Sequence, residues 1–280
     1  MPEPRTAHET VEVLSLRFHN LTRAEAARAI AEMARSQGKR YVVKPYSEFM
    51  PQARDDERVR AILNGADLCL ADGIGILWAA HYLSLPGGTL RALVQLPLSL
   101  AAIALNPRAV RRPLRQAMAG VDLTWEMLAR LDDAGASVYL LGGTEEEARG
   151  ARDRIEARFQ RLTVAGVHHG YVTRSAEATD AVVAAINEAK PDALLVAMGF
   201  PRQEKWLEEN LSRLDVRVAV AEGGSFSFIS GAVPRAPRWL RRAGLEWLYR
   251  LGRQPRRLRR QFAIPRFVWL VVRERLARAV

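Results

Sequence analysis

A single cysteine, Cys69, in 280 residues leaves no partner for an internal disulfide, so nothing in the chain calls for an oxidising compartment. A secretory signal would need a basic and then an apolar N-terminal run, and MPEPRTAHET supplies neither. A cytoplasmic location is the expectation. Long hydrophobic runs are also missing: residues 90–105 include Arg91, Gln95 and Pro97, and residues 262–272 are cut by Arg266. A spanning helix needs roughly 18 to 20 uncharged apolar residues, so a chain of this kind that meets a membrane is expected to lie on it. Three catalytic signatures are absent as well, namely the D-x-D that holds a divalent metal on a nucleotide diphosphate, G-x-x-x-x-G-K-[ST] and G-x-S-x-G. ADGIG carries half a dinucleotide fingerprint, with Trp78 where the third glycine would stand, which disfavours NAD. His168 and His169 are adjacent and so point to opposite sides of a strand, a poor start for a metal site.

What is present is unevenly distributed. Residues 234–280 hold fourteen Arg, no Lys and two acids, Glu246 and Glu274, a net +12, while residues 1–233 sum to −1. A neutral body with a basic tail predicts a localised contact with something anionic. Trp239, Trp247, Tyr249, Phe262, Phe267 and Trp269 interleave with those arginines, the pattern of interfacial membrane helices. Nucleic acid is the rival reading of the same tail.

With 49% hydrophobic residues the body can build a sizeable core. Apolar strand patterns at 41–43, 67–71, 137–141, 162–167, 193–198 and 216–221 alternate with amphipathic stretches. One of these, 144–159, opens on Thr144 and Glu147 at capping-box spacing, and another, 201–211, places Pro201 at a first helical position. The alternation predicts an α/β, Rossmann-like layered domain with a mainly parallel sheet, spanning 1–233, followed by a basic helical appendage at 234–280. Residues 86–113, apolar and proline-bounded, interrupt the alternation as an insertion. They read equally as a buried hairpin and as a second membrane contact.

Four strands run into glycine turns: ADGIG, then Gly142-Gly143, Gly199 before Phe200-Pro201, and Gly223-Gly224 after Glu222. Ligands of open α/β sheets sit at such strand ends, although glycine is also the ordinary turn residue there. Asp72 follows an apolar strand, where its carboxylate could take a proton from a substrate hydroxyl or simply form an Asp-Gly turn. Gln203 and Glu204 fall at a helix start suited to a phosphate or sugar oxygen, or Glu204 serves the helix start electrostatically. Arg250, Arg257 and Arg260 share a helical face able to clamp a diphosphate, unless that face is merely solvated; Pro255 breaks the helix locally.

Taken in order, ADGIGILWAA, AGVDLTWEML, LLGGTEEEA, GVHHGY, GFPRQEKW, EGGSFSFISGAVPRAPRW and GLEWLYRLGRQPRRLRR closely resemble the WecG/TagA/CpsF family of bacterial glycosyltransferases. The likeness covers roughly residues 40–85 and 114–262. It implies transfer of an N-acetylmannosamine-type sugar from UDP to a polyprenyl-diphosphate-linked acceptor, with inversion and no metal cofactor. It further implies Asp72 as catalytic base, a substrate contact from Gln203, and arginines brought to the site by a membrane-touching appendage, here Arg250, Arg257 and Arg260. The implied partners are the UDP-sugar, the lipid-linked acceptor and an anionic membrane surface, with no nucleic acid and with room for a homo-oligomer. Some positions depart from the family pattern. Lys44-Pro45-Tyr46 stands for a Thr-x-Asn, Ala117 for an arginine that Arg115 could replace, Ser227 for an aspartate, and Glu222 lies in a segment that usually reads differently. These departures surround the implied sugar pocket, so Lys44, Tyr46 and Arg115 join Gly142, Gly143, Gly199, Gln203, Glu204, Gly223 and Gly224 as expected substrate-binding residues.

Overall fold

The computed structural model describes residues 8–172, 175–237, 249, 252 and 262–278. All six expected strands form: β3 (Arg40–Val43), β4 (Leu68–Cys69), β5 (Ser137–Gly142), β6 (Thr163–His168), β7 (Ala193–Ala197) and β8 (Val218–Ala221). They make one parallel sheet in the order β4-β3-β8-β7-β5-β6. An antiparallel hairpin precedes it, β1 (Thr10–Val13) with β2 (Leu16–His19). Its turn holds Leu14 and Ser15 at φ 50° and 66°, a left-handed pair normally announced by Asn-Gly. Without that signature the hairpin is invisible in the sequence pattern.

Side chains alternate across the sheet, and the alternation divides the apolar residues into two cores. Val43, Cys69, Leu141, Leu194 and Ala219 face one layer of helices, while Val42, Leu68, Leu140, Leu195 and Val218 face the other. The second layer contains α1 (Arg23–Arg35), α6 (Gly120–Asp133), α7 (Glu145–Glu156) and α10 (Ser225–Ile229). The first contains α2 (Met50–Asp55), α3 (Glu57–Gly65), α4 (Ile74–Ser84), α8 (Ala176–Ala189), α9 (Arg202–Asn210) and α11 (Ala263–Ala277). Burial on both faces explains why β7 and β8 read as unbroken apolar runs, ALLVA and VAVA.

Local signals act as expected at α7, where Thr144 and Glu147 close a capping box, and the same device starts α1 with Thr22 and Glu25. Pro201 is displaced by one position from its expected place: it is the N-cap of α9, at φ −92° and ψ 9°, and the first helical residue is Arg202.

Two expectations change at the far end of the chain. Phe267, read above as an interfacial aromatic, is 1% exposed and meets Trp78 edge-on with ring centroids 6.1 Å apart. With Leu270 and Val271 it belongs to the same core as α4, because the apolar positions of α11 recur at helical spacing and find an apolar surface to cover. α11 thus packs into the body's own core. The insertion is not a buried hairpin either. Its main element, α5 (Thr89–Leu105), turns only Ala92 and Ser99 fully inward.

Candidate active site

In a parallel sheet every strand ends on the same rim, and here that rim collects Asp72 after β4, Lys44 to Tyr46 after β3, Glu222 to Gly224 after β8, Gly199 after β7 and Gly143 after β5. The helices that follow these strands also begin there, so α4, α9 and α10 direct their N-terminal N–H groups toward the rim, a field that favours anions.

Asp72 is placed by the backbone around it. Its N–H donates to the Pro45 carbonyl (3.1 Å), and the Met118 N–H donates to the carbonyl of Ala71 (2.8 Å). The second link draws the start of α6 across the strand end. A Cβ added to Gly120 would lie 3.3 Å from Asp72 Oδ2 and 3.9 Å from the Ser225 hydroxyl. The carboxylate thus sits against the first turn of α6, beside α10, close to the Gly120 backbone.

The β3–β8 register pairs Val42 with Val220, and two residues further on the same register sets Lys44 beside Glu222. Lys44 Nζ is 2.8 Å from Glu222 Oε2, with both side chains buried. The Thr124 hydroxyl lies 2.6 Å from that same oxygen and 2.8 Å from the Gly120 carbonyl. A buried ion pair repays its desolvation only when well bonded, and Glu222 Oε1 has no hydrogen-bond partner among the described residues. Lys44, expected to touch substrate, sets its ammonium against Glu222 at the same rim. The sequence signal for that pair was slight: an acid directly following the apolar VAVA of β8.

Gln203 is likewise turned inward. Its Oε1 accepts from the N–H groups of Gly199 (3.1 Å) and Gly223 (3.0 Å), and its Nε2 donates to Glu204 Oε1 (2.8 Å). One side chain therefore staples the loops after β7 and β8 and takes up the two backbone donors that glycine turns would otherwise offer a phosphate. Glu204 is 2% exposed, and its Oε2 has no hydrogen-bond partner among the described residues. Burial pushes its carboxyl up to about 7, against the opposing hydrogen bond from Gln203. Its role is thus not that of a surface charge at a helix start.

Tyr46 tilts onto Phe49 (centroids 4.0 Å apart), which stacks on Phe200 at 3.7 Å. This aromatic row joins the ends of β3 and β7. Gly142 is forced by close packing, since a Cβ there would meet the Ala197 carbonyl carbon at 2.4 Å. Its neighbour Gly143 donates to Ala197 (3.0 Å) and accepts from Gly170 (2.9 Å). Arg115 is directed elsewhere, toward α1, where its guanidinium donates to the Asn20 carbonyl (2.9 Å) and pairs with Glu25. Arg250, Arg257 and Arg260 lie outside the described residues. The segment that leads to them starts at a fixed point, because Arg235 pairs with Asp122 at 2.5 Å in the first turn of α6, the turn that also carries Gly120.

Residues 11–104 and 97–280 match the sequence model described as "Glycosyl transferase WecG/TagA/CpsF family". An N-acetylglucosaminyldiphosphoundecaprenol N-acetyl-beta-D-mannosaminyltransferase of Bacillus spizizenii is 30% identical over 239 residues, covering 85% of this chain and 81% of the relative. A protein of the same name from Staphylococcus aureus is 27% identical over 273 residues, covering 97% and 95%.

Proposed function

Because the chain belongs to the WecG/TagA/CpsF family of glycosyltransferases, we propose that it moves an N-acetylmannosamine-type or related sugar from UDP to a polyprenyl-diphosphate-linked acceptor, with inversion. The names of the relatives supply the acceptor class. The observation that carries the reading is the Asp72 carboxylate on the rim where helix N-termini converge, held against the start of α6. In a single displacement, Asp72 would take the proton from the acceptor hydroxyl as its oxygen attacks the anomeric carbon. The bond to UDP breaks with its electrons going to the diphosphate. The positive ends of the helices, with the arginines of the 234–280 segment, would offset that charge. No metal is needed in this scheme. The enzyme would work peripherally on the cytoplasmic face of the membrane, in synthesis of a cell-surface polysaccharide or teichoic acid.

The test is a donor screen against a short-chain polyprenyl-diphosphate-GlcNAc acceptor, run with wild type, Asp72→Asn and Asp72→Ala. Loss of a general base lowers turnover by roughly 10²- to 10⁴-fold and should leave donor binding nearly intact. An Asp72→Ala enzyme that keeps most of its rate would reduce Asp72 to a turn residue.

A further inference from the structure

A helix on the surface of a soluble body normally turns its polar side chains to water and its apolar ones inward. α5 departs from this. Its inward side holds Ala92, with Leu96, Ala102 and Ile103 packed on the core, together with Ser99, which accepts a hydrogen bond from Trp78 Nε1 (3.0 Å), and yet most of its large apolar side chains face out. Its outward half carries Leu90, Leu93, Val94, Leu98 and Leu105, with Leu90 77%, Leu98 66% and Leu105 85% exposed. Arg91 is the one charged residue of the helix. Of the large exposed hydrophobics among the described residues, all but Tyr171 lie on α5 or on α11 and the residue before it. These two helices touch, and Arg275 of α11 is fixed to the α5 entry by a bond to the Gly87 carbonyl (2.9 Å).

We infer that α5 is an in-plane membrane anchor, lying along the bilayer interface with its leucine face among the acyl chains and the exposed Trp269 of α11 beside it. The inference deepens the proposed function, since it rests on an acceptor that resides in the bilayer. Two features favour lipid over a second copy or a protein partner. First, the outward leucines bring no hydrogen-bonding side chain to be satisfied, which suits hydrocarbon. Second, no acid occurs between Asp72 and Asp122, whereas Arg91, Arg108, Arg111 and Arg112 are all exposed. That charge complements anionic headgroups and would repel its own image across a two-fold interface. Seventeen residues give a helix about 25 Å long, and no helix among the described residues is long and apolar enough to cross a membrane. The geometry is that of a helix lying flat.

The experiment uses the full chain and phosphatidylcholine vesicles with and without phosphatidylglycerol. Cys69 is the sole cysteine and is buried, so a Val94→Cys variant can carry one environment-sensitive fluorophore on α5. With anionic vesicles its emission should shift to the blue and be quenched by lipids bearing a shallow doxyl group. A Leu90→Gln, Val94→Gln, Leu98→Gln triple variant should bind vesicles at least about tenfold more weakly, while helix content and transfer to a water-soluble acceptor stay near wild type. The inference is overturned if the label remains in a water-like environment while the protein is bound, or if the triple variant binds like wild type. It is equally overturned if the triple change converts a dimer to monomers without altering vesicle binding. If α5 enters the bilayer but no sugar reaches any polyprenyl acceptor, the anchor stands and the proposed reaction falls.

Discussion

Glu204 offers a stability test that does not depend on turnover. Its carboxyl is raised from 4.5 to about 7 by burial, so the folded protein holds a proton there that the unfolded chain releases. Stability from this group is complete below about pH 4.5 and is lost as pH rises to about 7, because folding then requires either burying a carboxylate or retaining a proton against the solution. A shift of this size corresponds to about 3 kcal/mol at 1.36 kcal/mol per pH unit. Glu204→Gln mimics the protonated acid: its side-chain oxygen can still accept from Gln203 Nε2, which lies 2.8 Å from Glu204 Oε1. The variant should therefore melt close to wild type at pH 4.5 and above it at pH 8, by a margin of the order of 5 °C. Differential scanning fluorimetry of both proteins across that range measures it. A difference in Tm that does not vary with pH would refute the reasoning and mean that Glu204 ionises inside the protein with little penalty.

Three further outcomes are expected. Lys44→Met leaves the buried Glu222 carboxylate without its cation and should cost about 3 to 5 kcal/mol in chemical denaturation, with much of that recovered in a Lys44→Met, Glu222→Leu double variant; a single change costing under about 1 kcal/mol would contradict the pairing. Phe267→Ala should cost about 3 to 5 kcal/mol, whereas Trp269→Ala at the exposed surface of α11 should stay within about 0.5 kcal/mol, and equal effects would mean that α11 does not close the core. Transfer should continue in excess EDTA, since the proposed mechanism uses no metal; complete loss restored by magnesium or manganese would require one.

The layered fold was legible because two-sided burial writes itself into composition: VAVA and ALLVA can hardly be anything but central strands. The strand-end location of Asp72 followed from the same rule, as the residue after a buried strand in a parallel sheet must reach the rim. Side-chain destinations were less legible. Lys44 and Gln203 stand at rim positions that suit a ligand, yet pairing across β3 and β8, and between the loops after β7 and β8, turns both inward. Such pairings depend on which strands are neighbours, and β3 lies next to β8 across 174 residues of chain. Phe267 was misread for a related reason. An aromatic among arginines looks interfacial until the fold supplies an apolar surface, here Trp78, that competes better for it.

The edge of the sheet at β4 has a consequence for how molecules of this protein meet one another. An edge strand presents N–H and C=O groups that another chain can join by strand addition. β4 is only two residues long, and the Cys69 N–H is already taken by His19 Nδ1 at 3.0 Å, from the end of the β1–β2 hairpin. That ring nitrogen accepts only while it is unprotonated, and burial holds the His19 imidazole below its usual range. Near neutral pH the hairpin thus acts as a stopper on the sheet, and intermolecular β-pairing has nowhere to start on this side. Protonation in acid ends that acceptance and turns Nδ1 toward the Cys69 carbonyl, 3.4 Å away, so the hairpin keeps a polar contact with this strand while its bond to the Cys69 N–H depends on pH.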